Sequence, residues 1–134
     1  MKLTFNLLEV LAKIFSDLQL EYDLDLSLLT EDSATLRSKN YEIFLGIDYD
    51  GIYASYFGKD EKLGYDLLGF LLECRRDRLI FAKIESDTAT HKDYAVHQFS
   101  ALARHLHDGS PDILAGEVTW KKSYRLPKLS RPGI

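Results

Sequence analysis

Between residues 3 and 18 apolar side chains recur as Leu3, Leu7, Val10, Leu11, Ile14 and Leu18, with Leu8 and Phe15 widening the stripe and Glu9, Lys13 and Asp17 off it. This spacing follows a turn of ~3.6 residues and predicts an amphipathic N-terminal helix. The period then changes to two. Leu20, Tyr22, Leu24, Leu26 and Leu28 alternate with Glu21, Asp23, Asp25 and Ser27. Alternation sends successive side chains to opposite faces, so residues 20–28 read as a half-buried strand with a carboxylate row outside. Turn residues at 30–33, a short strand at 34–37 and a turn at 38–40 lead into residues 41–58, the strongest hairpin signal in the chain.

That hairpin consists of two apolar-rich runs meeting at Asp50-Gly51, a pair that tolerates the positive φ angles of a two-residue turn. With Asp50 and Gly51 as the loop, Tyr49 is expected opposite Ile52, Ile47 opposite Ala54 and Leu45 opposite Tyr56. Ile43 joins these on the core face. The other face then carries Glu42, Phe44, Asp48, Tyr53, Ser55 and Phe57, an aromatic and acidic set.

After a polar loop at 58–62, Asp66 is placed to cap a helix through Leu67, Leu68, Phe70, Leu71 and Leu72, which Gly69 weakens. Residues 78–84, RLIFAKI, read either as a fifth strand or as the end of that helix, because a short apolar run has no decisive period. A loop at 86–90 precedes a helix over 92–107, whose Ala95, Val96, Phe99, Leu102, Ala103 and Leu106 fall on an arc of ~120° at ~100° per residue. Asp108-Gly109 ends it, a short turn at 112–115 stops at Gly116, and Trp120 is expected to anchor the late chain onto the body. The expectation is a single two-layer α+β domain over 1–126, with an antiparallel meander of four to five strands. The N-terminal helix and two to three later helices pack on it, and a basic tail at 127–134 frays.

Composition narrows the class. The chain has 134 residues and is 46% hydrophobic, enough for one core. Glu9, Lys13 and Asp17 interrupt its longest apolar segment, which excludes a membrane span or secretory signal there and points to a cytoplasmic protein. A lone Cys74 excludes an internal disulfide and a cysteine-cluster metal site. The net charge of −4 hides an asymmetry: Lys121, Lys122, Arg125, Lys128 and Arg131 lie in residues 121–134 with no acid. Removing those five from 17 cations leaves 12 against 21 acids, so residues 1–120 carry −9. Such a body repels nucleic acid and attracts cationic proteins.

Candidate chemistry is sparse. His97 and His105, eight residues apart on one predicted helix, stand ~12 Å apart along its axis and share no ion without a second element. Asp48-Tyr49-Asp50-Gly51 has the flavour of a calcium loop but lacks the third acid, the glycine offset and the closing Glu, so a turn explains it. Cys74 sits beside Arg75 and Arg76 with no evident histidine partner. There is no glycine-rich phosphate loop, nucleophile elbow or HExxH, so neither cofactor nor metal is expected, and the protein reads as a non-enzyme. What survives is a surface. Glu21, Asp23, Asp25, Glu42, Phe44, Asp48, Tyr53 and Phe57 would make one acidic, aromatic patch for a basic protein, if both polar faces lie on the same side of the sheet. The competing readings are a plain solvated face, or Phe44 and Phe57 covered by the C-terminal segment and Trp120.

Residues 99–120, FSALARHLHDGSPDILAGEVTW, resemble the closing helix and ILxG(D/E)xxW ending of several small bacterial immunity proteins. The matching positions are Leu102, Leu106, Ile113, Leu114, Gly116, Glu117 and Trp120. The close match covers about a sixth of the chain. It implies a non-catalytic, monomeric inhibitor that binds and blocks a cognate toxin, often a nuclease with a basic cleft. The outline also resembles secretion chaperones, which hold an effector as homodimers; here the run Leu67 to Leu72 would supply the dimer surface. A small enzyme with a site assembled from distant residues is the third class. Light scattering separates the first two, and a carboxylate or histidine substitution that abolishes turnover in a folded chain would identify the third.

Overall fold

The computed structural model describes residues 3–49, 51–75 and 90–131. Residues 78–84, read as strand or helix end, lie outside them. An antiparallel sheet runs in simple sequence order, β1 (Asp25–Thr30), β2 (Ser33–Arg37), β3 (Tyr41–Asp48), β4 (Gly51–Gly58), β5 (Leu63–Asp66) and β6 (Leu129–Ser130). The described helices are α1 (Leu7–Ile14), α2 (Ser16–Tyr22), α3 (Leu67–Cys74), α4 (His91–Gly109) and α5 (Pro111–Leu114), followed by a 3₁₀ turn at Thr119–Ser123. The expected α+β meander is present, extended at its far edge by β5 and β6.

Helices α1, α3 and α4 start where local chemistry satisfies their first N–H groups. Asn6 Oδ1 accepts from the Glu9 amide, Asp66 Oδ1 accepts from Gly69, and Thr90 with Asp93 forms a reciprocal capping box at the head of α4. Helix α4 then buries Ala95, Phe99, Leu102, Ala103 and Leu106, the predicted stripe with only Val96 less covered. The core joins these to Leu7, Leu11 and Leu18 from the first two helices, to Phe15 at the junction between them, and to Leu36, Ile43, Leu45, Ile47, Ala54 and Tyr56 from the sheet.

Three expectations are corrected. The stretch from Leu20 is helical up to Tyr22: Leu18 is buried, Tyr22 packs against the core, and Leu20 points out at 85% exposure. The sequence fits both periods here, since Leu18 and Tyr22 are also a helical i, i+4 pair. Asp23 closes the helix in the left-handed region at φ 54°, so the strand starts at Asp25. The β3–β4 register differs by two residues: Ile47 pairs Ile52, Leu45 pairs Ala54, Ile43 pairs Tyr56, and Asp48 pairs Gly51. A shift of two keeps every side chain that stays paired on its predicted face, which is why the pattern could not detect it. Residues 127–131, expected to fray, instead dock, with Leu129 pairing Gly64 and Ser130 pairing Leu63.

Candidate functional site

The register decides where the proposed surface residues sit. Across the sheet, Asp25, Arg37, Glu42 and Phe57 form one row, and Ser27, Thr35, Phe44 and Ser55 form the next. Both rows lie on the face opposite the helix-packed core, because their neighbours Leu36, Ile43 and Tyr56 belong to that core. Tyr53 belongs to the same outer face, opposite Gly46.

This outer face is more closed than its position suggests. Phe44 and Phe57 are buried, at 5% and 0% exposure, and meet edge to face at 5.3 Å, yet neither belongs to the main core. Phe57 lies over Gly64 and Tyr53 over Gly46 so closely that a Cβ at either glycine would collide with the ring. An aromatic laid over a cross-strand glycine fills the missing side-chain space. Arg131 completes the cover, with its guanidinium 4.9 Å from the Phe57 ring centroid, Nη1 donating to Glu42 Oε1 at 3.1 Å, and Nη2 donating to the carbonyls of Gly58 and Glu61. Trp120 sits on the opposite face, against Tyr56, Tyr65 and Phe70. The C-terminal segment therefore covers Phe57, and Trp120 takes no part.

Glu42 is likewise occupied. Arg37 Nη2 donates to its Oε2 at 3.2 Å while Arg131 holds the other oxygen, so its charge is neutralised from both sides. The remaining acids do not form one patch. Glu21 lies on α2 and approaches His107 Nε2 at 3.4 Å, Asp23 is the helix terminus, and Asp25 opens β1. Asp48 is at the other end of the sheet, about six residues along β3 from Glu42 and so roughly 20 Å away. There it neighbours Asp32 around the half-buried Tyr53. The Tyr53 hydroxyl is pushed above its ordinary range by burial, and further by these two carboxylates. The Asp32 carboxyl is held below its ordinary range, chiefly by the Thr30 hydroxyl, which donates to Oδ1 at 2.8 Å.

Strand β1 links the two acidic ends. It is an edge strand whose six residues are exposed except Leu26, and Leu28 and Leu29 are 48% and 42% exposed. Close to the second end, Tyr49 projects from the hairpin at 92% exposure. Sequence reasoning missed all three, assigning Leu28 to a buried stripe and Tyr49 to the core face. The two-residue register change carries Tyr49 past the last strand pair, and only the pairing reveals it.

The catalytic-looking group is structural. His105 Nε2 lies 3.1 Å from Ser110 Oγ, a serine–histidine pair, but Ser110 is wholly buried and His105 nearly so. Arg75 donates to Ser110 Oγ and, in a fork, to both Asp112 oxygens at 2.8 and 2.7 Å. This network ties the end of α3 to the α4–α5 junction and gives a substrate no access to the hydroxyl. Among the described residues, no group of three or more His, Cys, Asp or Glu is placed to hold a metal ion, and no helix is long and apolar enough to cross a membrane. The segment that resembles immunity proteins also has a packing role: Ile113, Leu114 and Trp120 are buried, and the Leu114 carbonyl accepts from the Tyr41 hydroxyl at 2.7 Å. No family model, curated protein or solved structure matches the chain.

Proposed function

We propose that this protein is a non-enzymatic inhibitor of the toxin-immunity type, which captures a cationic protein partner through the acidic border of β1. The observation that carries the reading is the state of Asp23, Asp25 and Glu31. All three are exposed at the two ends of the edge strand, and their side chains make no ion pair or hydrogen bond with a described residue. Carboxylates left unpaired on a surface keep their field, which steers a cationic partner toward them. Leu28, Leu29 and Tyr49 add exposed apolar area beside that field, and buried aromatic and aliphatic anchors are where binding energy concentrates. Phe44, Phe57 and Glu42 drop out of the contact surface because the protein's own chain already uses them.

The secretion-chaperone alternative has less support, since Leu67, Phe70 and Leu71 of the run Leu67 to Leu72 are buried in the core and Leu72, at 49% exposure, is the exposed leucine of that run. Affinity capture from the native cell is expected to return a basic protein. The triple variant Asp23→Lys, Asp25→Lys, Glu31→Lys should keep the wild-type circular dichroism and bind that protein at least about tenfold more weakly. Undiminished affinity in the folded triple variant would defeat the assignment.

A further inference from the structure

We propose that the free edge of β1 takes up an extended, lysine- or arginine-bearing segment of the partner as an added antiparallel strand. This rests on reading the acidic border of β1 as the place of partner capture, and it specifies how capture occurs.

Among the described residues β1 pairs only with β2, so alternate N–H and C=O groups of Asp25–Thr30 face away from the sheet. Exposure along the strand shows that the edge is open. Proteins usually blunt such an edge with lysine, proline or a bulge. Here the strand reads Asp-Leu-Ser-Leu-Leu-Thr, without lysine or proline, and its one irregularity falls between Leu28 and Thr30. Residues 25–28 keep regular pairing with β2 and leave a continuous template for another strand.

Charge decides the occupant. Asp23 and Asp25 stand at one end of the strand and Glu31 just beyond the other, with Asp25 and Glu31 about 20 Å apart at ~3.4 Å per residue. A second copy of this chain, paired antiparallel about the centre of β1, would set Asp25 against Thr30 and bring Asp23 and Asp25 of each copy toward Glu31 of the other. Carboxylates would then crowd both ends of the pairing, and like charges brought together across a strand pair are destabilising. A strand with cations toward both ends meets the same groups favourably, and the −9 carried by residues 1–120 draws it in. Leu28 and Leu29 offer apolar contact for its alternate side chains.

The test titrates the isotope-labelled full chain with a short capped peptide of alternating lysine and valine, and with the same peptide N-methylated at alternate residues. The parent peptide should bind and slow amide exchange by about tenfold at the outward-facing amides of residues 25–30. N-methylation, which removes the donors without removing the charge, should weaken binding about tenfold. Equal affinity for both peptides, protection outside residues 25–30, or no binding of the parent peptide overturns the proposal. So does self-association through β1 seen by light scattering. If the native basic partner is captured through Asp23, Asp25 and Glu31 while N-methylation has no effect, the added strand fails and the functional reading stands. If no basic protein is captured at all, both fail.

Discussion

Replacing Arg131 by alanine tests whether the C-terminal segment closes the outer face of the sheet. The guanidinium makes a charge-assisted bond to Glu42 with both side chains only 21% exposed, two bonds to the Gly58 and Glu61 carbonyls, and a cation–π contact with Phe57. The bond to a charged partner contributes about 1.5 kcal/mol, and the two carbonyl bonds, at 3.3 and 3.2 Å, together about 1 kcal/mol. The cation–π contact adds about 0.5–1 kcal/mol. Ordering a long side chain offsets about 1–1.5 kcal/mol, leaving a net of roughly 2 kcal/mol. With a urea m-value of about 2 kcal/mol per M, the Arg131→Ala midpoint should fall by roughly 1 M at unchanged m. Arg131→Lys keeps the charge but loses the planar fork, and should fall between the two. An Arg131→Ala midpoint indistinguishable from wild type would refute the clasp and return Phe57 to the list of partner contacts.

Two further perturbations test the network at the end of the core. The Trp120 indole N–H is buried without an acceptor among the described residues, so its removal is expected to sacrifice no hydrogen bond. Trp120→Phe should cost about 1–2 kcal/mol in urea unfolding and Trp120→Ala about 3–5 kcal/mol; equal costs would mean the N–H has a role that packing does not explain. The Arg75 fork holds the Asp112 carboxyl below its ordinary 3.8. A carboxylate whose folded pKa is depressed stabilises above the unfolded value and loses that contribution as pH falls through the folded one. Asp112→Asn should therefore cost about 1–3 kcal/mol at neutral pH, with the gap to wild type closing as pH drops below 3.8. A gap independent of pH would show that the ion pair is not its source.

Much of the candidate surface was legible as chemistry before it was legible as place. Asp23 and Asp25 could be read as exposed acids because they alternate with leucines. That reading survived even though Asp23 ended a helix and did not lie in a strand. Glu42 and Phe57 carried the same polar-face signature and turned out to be engaged by Arg131, which lies 89 residues from Glu42. No period or spacing connects residues so far apart. The exposed Tyr49 was hidden by the opposite problem, a register error of two residues that keeps each paired residue on its face and moves only Tyr49 out of the ladder into the turn.

The sequence by itself determined what depends on a few neighbouring residues. Asp66 and the Thr90–Asp93 box start α3 and α4, the α4 stripe finds the core, and short polar turns fold successive strands into a meander. These are local: a cap satisfies an amide three residues on, and a short connection between strands favours antiparallel pairing. Tertiary structure decided the rest. It chose helix over strand for residues 20–22, where both periods fit, by packing Leu18 and Tyr22 on the core and leaving Leu20 outside. It also docked the basic tail, and so separated the aromatics the protein buries for itself from Asp23, Asp25 and Glu31, which make no ion pair with a described residue, and from the exposed edge strand. Such outcomes depend on which distant groups desolvate one another, a quantity that exists only once the chain has closed on itself.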